Sequence, residues 1–119
     1  MSNFSRDLTI LLNIAGYCKK IEATINRIEA NYDKYMENYE VKDSIAMEIL
    51  QIGELANHLS DEFKEKNQKE INWNEIRGMR NRFVHGYGEM DNGKIFDTAV
   101  NDIPVLFKFV SKEIEKFKE

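Results

Sequence analysis

The chain is poor in the residues that cross-link or punctuate a fold. Its 119 residues include one cysteine (Cys18), one proline (Pro104), one tryptophan (Trp73), two histidines (His58 and His85) and six glycines. A lone cysteine excludes an intramolecular disulfide and makes a reducing, cytoplasmic compartment the natural expectation. Cys18 reads as a core thiol, since no base or cationic neighbour stands at helical contact spacing beyond Lys19 and Glu22. Nor is there a long apolar run. The longest uncharged stretch, Leu8 to Cys18, contains Asn13 and is too short for a membrane span or a secretory segment. A net charge of −4 argues against broad electrostatic capture of nucleic acid, although a small phosphate site is compatible with it. The place for one is clear, because Ile76 to Gly88 holds three arginines and no acid.

What is present is a helical pattern. With 32% charged and 42% apolar residues, residues 1–119 read as one all-α domain, an antiparallel four- to five-helix up-and-down bundle. Leu8, Leu11, Cys18, Ile21, Ile25 and Ile28 recur at three and four residues and place a first helix from about Phe4 to Glu29 or Ala30. Leu12, Ile14 and Ala15 widen its stripe, as a surface for a partner chain would. Tyr32, Tyr35 and Tyr39 follow at helical spacing; they read as half-buried rings over the bundle end, with their hydroxyls in water. A second helix runs from about Val41 to Leu59 with Ile45, Ile49, Ile52, Ala56 and Leu59 inward. Glu48 and Glu54 lie close to that face, where a carboxylate serves to satisfy a cation such as Arg80 or Arg77. Gly53 costs about 1 kcal/mol against alanine in a helix interior, so another helix or a ligand should come near it. Residues 60–72 read as a polar connection with a helical turn around Phe63. A last helix begins near Asp91 to Gly93 and ends near Lys116 or Phe117, with Phe96, Val100, Ile103, Phe107, Val110, Ile114 and Phe117 inward. Pro104 should kink or break it, with Asp102 helping to start the second part. Glu54 and His58 are a weak pair for a metal, and no metal or cofactor is expected; His58 reads as an exposed or capping side chain.

The rest is arranged around Trp73 to Tyr87, WNEIRGMRNRFVHGY. Asn72 suits an N-cap, Glu75 a capping box, and Ile71 with Ile76 a hydrophobic staple, while Gly86 suits the helix end. Trp73, Ile76, Met79, Phe83 and Val84 share one side; Arg77, Asn81, Arg82 and His85 share the other. Arg80 is the exception. It falls inside the apolar stripe, where an unpaired guanidinium is costly, so it needs a carboxylate from another helix or a phosphate from a ligand. Arg80 and His85 are about 140° apart on an ideal helix and converge only if the stem of Arg80 swings or the backbone tightens.

Arg80, four residues, His85, one residue and then Tyr87 resembles the motif of the HEPN superfamily. The wider string resembles its HepT-like toxin ribonucleases, through Ile52–Glu54 and Ala56, Trp73, Arg77–Asn81, Val84–Tyr87 and Asp102–Leu106. The resemblance implies a toxin endoribonuclease acting as a two-fold homodimer, paired with an MNT-type nucleotidyltransferase antitoxin that silences it by transferring AMP to Tyr87.

The residue chemistry fits such an activity without a metal. RNA brings its own nucleophile, the 2′-hydroxyl, so its cleavage needs a base, an acid and positive charge on the crowded phosphorane; DNA would not be cut. Histidine suits proton transfer and the arginine fork suits the phosphate. One histidine cannot be base and acid at once, and a dimer would supply two copies of His85 and Arg80. Asn81 would orient His85 or a phosphate oxygen, and Glu54 would hold an arginine. Two other readings stay open. Arg80 with Glu54 could be an ion pair that fixes helix register, and the chain could be a non-catalytic HEPN module that binds nucleotide or regulates a nucleotidyltransferase.

Overall fold

A computed structural model describes residues 3–85 and 91–118, with side chains from residues 5 to 81 and 91 to 118. The fold is all-α. Helix α1 (Asn3–Arg27) packs against α3 (Tyr39–Asn57) and α7 (Ile103–Phe117), and α3 packs in turn on α5 (Trp73–His85). Between these lie three short helices: α2 (Tyr32–Glu37), α4 (Asp61–Lys66) and α6 (Asn92–Asp97). Among the described residues no helix is long and apolar enough to cross a membrane.

Cross-contacts fix the directions. Arg6 donates to the His58 carbonyl at 3.1 Å, and the Asp7 carboxylate accepts from the Ser60 N–H at 2.9 Å and its hydroxyl at 2.6 Å, so the start of α1 lies beside the end of α3. Ser60 also caps α4 through Phe63 N–H. Asp7 is 5% exposed, and this clasp ties residues 53 apart in sequence; nothing local announces it.

The core is aliphatic. Leu11, Ile14, Cys18 and Ile21 of α1 meet Ile45, Ile49 and Ile52 of α3 and Leu106 and Val110 of α7, all buried. The inward set expected on α3 is buried, including Leu59 just beyond its end. On α1, Ile14 belongs to this core, whereas Leu12 is exposed.

Three expectations are corrected. Helix α1 stops at Arg27, because Glu29 and Ala30 take left-handed backbone (φ 57° and 52°) and the Ala30 N–H reaches back to the Ile25 carbonyl at 2.9 Å. That six-to-one bond closes a Schellman turn without glycine. Next, Tyr35 is not half-buried but fully enclosed, with its ring 4.9 Å from that of Phe96 and 6.0 Å from that of Tyr32. Its hydroxyl has no partner among the described residues, and burial pushes its pKa up to about 12. Tyr32 and Tyr39 remain exposed.

The third correction concerns the last helix. Asp91 caps α6 through Gly93 and Lys94 N–H, within the start expected near Asp91 to Gly93. Ahead of Pro104 the backbone widens into a π-helical turn, Thr98–Asp102, where the Ile103 N–H reaches the Thr98 carbonyl five residues back. Proline can offer no N–H to the carbonyl four residues earlier, and a one-residue register change accommodates that loss inside a continuous helix. The extra residue also shifts the inward phase. Ile95, Ala99, Ile103, Leu106, Phe109, Val110 and Ile114 are the buried set, while Phe96, Val100 and Phe107 lie at its margin. Asp102 precedes α7 but makes no side-chain cap bond.

Candidate active site

Helix α5 begins as its sequence dictates, with the Asn72 carboxamide oxygen accepting from the Glu75 N–H at 3.1 Å. Its apolar side turns to the core: Ile71 is buried, Trp73, Ile76 and Met79 are partly buried, and the Trp73 ring stands 6.2 Å from those of Phe63 and Phe109. The Trp73 indole N–H is enclosed without a partner among the described residues.

Two turns on, α5 passes over α3 at Gly53. A Cβ placed on Gly53 would lie 3.0 Å from Arg80 Cβ, so this glycine is where the second helix comes close. The next residue, Glu54, then receives Arg80: its carboxylate Oε1 accepts from the guanidinium Nε. Arg80 Nη1 donates to the Asn81 side-chain oxygen at 3.1 Å. Arg80, Asn81 and Glu54 thus form one hydrogen-bonded group, partly open to solvent, with side-chain exposures of 30% for Arg80 and 33% for Glu54. Of the two anions its position in the apolar stripe left open, Arg80 has found a carboxylate from another helix.

The other expected members stand apart or lie outside the described side chains. Arg77 is exposed one turn before Arg80, where Lys64, Trp73 and Asn57 border the same shallow hollow. Glu48, the second carboxylate on α3, faces α1 instead; it accepts from the Ser44 hydroxyl at 3.4 Å and feels Lys20 and Arg27. Partial burial is the larger influence and raises its pKa. The α5 backbone reaches His85, but the side chains of Arg82, Phe83, Val84 and His85 lie outside the described residues, as do Gly86, Tyr87 and Gly88. His58 is the exposed C-cap residue of α3. No group of three or more His, Cys, Asp or Glu that could hold a metal occurs among the described residues.

Sequence reasoning missed a cleft beside this group. It opens between α3, α5 and the π-helical turn, has a volume of about 210 Å³, and runs from Gly53 and Arg80 along Ile76 to Thr98 and Asp102. Asp102 has a raised carboxyl pKa, through partial burial first and then the nearby charges of Asp97 and Glu75. No local sequence signal announces the cleft, since Asp102 ahead of Pro104 reads as a helix start and its failure to cap is visible only in the fold.

Comparisons of the sequence with known proteins point to one family. The family model described as "Ribonuclease HepT-like" matches residues 14–113. A protein of Caldanaerobacter subterraneus subsp. tengcongensis, provisionally named RNase TTE0752, is 29% identical over 101 residues, covering 84% of this chain and 89% of that one. Two proteins of Methanocaldococcus jannaschii carry similar provisional names. RNase MJ0125 is 26% identical over 91 residues (76% of this chain, 78% of its own), and RNase MJ1216 is 28% identical over 87 (71% of each). No solved structure matches.

Proposed function

Because the chain belongs to the HepT-like ribonuclease family, we propose that it is a metal-independent endoribonuclease whose phosphate-binding residue is Arg80 and whose proton-transfer residue is His85. The observation that carries this reading is the Arg80 group. A guanidinium held at Nε by Glu54 and at Nη1 by Asn81 is pre-oriented on the helix whose end bears His85. Pre-oriented positive charge is what the phosphorane of an in-line 2′-hydroxyl attack requires, and it needs no reorganisation during the reaction. Glu54 and Asn81 act as positioning residues, and Arg77 supports the substrate strand from the exposed side.

His85 removes the 2′-hydroxyl proton, the 2′-oxygen attacks the adjacent phosphorus, and the bond to the 5′-oxygen breaks as that oxygen takes a proton. In a two-fold homodimer the second His85, protonated, donates that proton to the 5′-oxygen, so that base and acid are separate groups. The products are a 2′,3′-cyclic phosphate and a free 5′-hydroxyl, and DNA is not cut. In this reading the chain is the toxin of a pair whose MNT-type nucleotidyltransferase antitoxin silences it by AMP transfer to Tyr87. The added phosphodiester brings an anion to the site that substrate phosphate needs.

The test is to incubate the purified protein with RNA in excess chelator. Cleavage that leaves cyclic phosphate ends and is lost in His85→Ala and Arg80→Ala supports the proposal. No cleavage, or equal cleavage by His85→Ala, rejects it. Nucleotide binding without RNA turnover would select the non-catalytic module instead.

A further inference from the structure

The cleft next to Arg80 has features that the phosphate chemistry leaves unused. Its walls are aliphatic, from Ile52, Ile76, Met79 and Leu106 among others. On its far side stands Thr98, 5% exposed, whose hydroxyl has no hydrogen-bond partner among the described residues. Its rim carries Asp102, Glu75 and Glu70, none of them in an ion pair with a described residue. Asp102 sits at the start of α7 and yet caps nothing.

We propose that this cleft receives the nucleobase adjoining the scissile phosphate and selects guanine, with Asp102 as the specificity-determining residue; the inference rests on the ribonuclease reading. Arg80 lines one end of the cleft and the carboxylates of Glu70, Glu75 and Asp102 the rest, so a strand whose phosphate is anchored at Arg80 places a base, not a second phosphate, against the acidic rim. The volume of about 210 Å³ lies below the roughly 300 to 1,000 Å³ of pockets for drug-sized ligands, and suits one ring system rather than a whole nucleotide. Aliphatic walls accept the ring faces. The rim then decides among bases by donors and acceptors. Guanine alone presents two N–H donors side by side, at N1 and N2, which match the two oxygens of one carboxylate. Beside them its O6 accepts from a hydroxyl, the role open to Thr98. Adenine and cytosine each set a ring-nitrogen acceptor next to their amine, and a carboxylate repels it. Uracil has one N–H between two carbonyls and fares no better.

The experiment reads binding separately from cleavage. Short 2′-O-methyl RNAs, which lack the nucleophile, are compared by fluorescence anisotropy with guanine, inosine, adenine, cytosine or uracil at one position. The expected result is about tenfold tighter binding of the guanine strand, with part of that advantage lost for inosine, which lacks the N2 amine. Asp102→Asn should remove the preference and leave the affinity for the uracil strand unchanged; Thr98→Val should weaken the guanine and inosine strands, which share the 6-carbonyl, and no other. Equal affinities for all five strands, or a guanine preference that survives Asp102→Asn, overturns the inference. So does binding of a leucine–lysine peptide that Asp102→Asn abolishes while base preference is absent, a result that assigns the cleft to a protein partner. RNA cleavage with no base preference leaves the ribonuclease reading standing and removes the pocket. Guanine-selective binding with no cleavage does the reverse.

Discussion

Gly53 lies so close beneath Arg80 that a methyl group on it would stand 3.0 Å from Arg80 Cβ. The helix-propensity loss of a mid-helix glycine, about 1 kcal/mol, is therefore offset by the approach that brings Glu54 to the guanidinium. Gly53→Ala would gain that propensity and lose a similar amount to crowding against a Cβ, which has no rotamer to escape into. The expected result is a melting temperature within a few degrees of the parent and RNA cleavage reduced about tenfold or more, because Arg80 is displaced. A variant with unchanged cleavage would show that the position of Arg80 does not govern the rate.

Tyr35 tests the cost of an enclosed hydroxyl. Its oxygen has no partner among the described residues while its ring contacts Phe96 and Tyr32. Removing an unpaired buried polar atom and keeping the ring should stabilise the fold by about 1 kcal/mol. Denaturant titration of Tyr35→Phe measures it, and a loss of stability would reveal a bond to that hydroxyl.

Cys18 should be inert while the protein is folded. Its thiol is buried, and burial, helped by Glu22, pushes its pKa up to about 12. At mildly alkaline pH almost no thiolate forms, so iodoacetamide should label Cys18 only as fast as the protein unfolds. Labelling at the rate of a free thiol in native buffer would contradict the burial.

Asp102 predicts a pH dependence of stability. Its folded pKa is raised, so in the interval between the unfolded and folded values the native state holds more protons and stability falls as pH rises. Below the usual carboxylate range the penalty is absent; above the folded value it is complete. Asp102→Asn should therefore melt higher than the parent at neutral pH and equal to it in acid. A difference that is constant with pH would assign the effect to packing instead.

Much of the site could be read from local signals. Asn72 caps α5 because the capping geometry lies within a few residues, and Arg80 called for an anion, a carboxylate or a phosphate, because its place in the apolar stripe is costly for an unpaired guanidinium; Glu54 supplies the carboxylate. The proximity expected at Gly53 follows from the same helix-on-helix logic. What could not be read depends on distant residues or on a backbone register. The Asp7–Ser60 clasp spans 53 residues, and α2 is a six-residue helix whose tyrosines divide between core and solvent according to where α6 packs. The π-helical turn alters the inward phase by one residue, and hydrophobic periodicity read at 100° per residue cannot register an inserted one. Proline signalled a disturbance in the right place without saying whether the helix would bend or widen.

Two corners of the Arg80 guanidinium are tied, Nε to Glu54 and Nη1 to Asn81, and Nη2 has no partner among the described residues. A plane pinned at two points cannot spin to greet an incoming anion from either side. On the proposed assignment of Arg80 to the substrate phosphate, the scissile linkage offers two stereochemically distinct non-bridging oxygens, and a docking edge this fixed addresses only one of them. Sulfur substitution should consequently be tolerated in one phosphorothioate diastereomer and poorly in the other, giving the site a handedness toward phosphorus that a freely rotating lysine would lack.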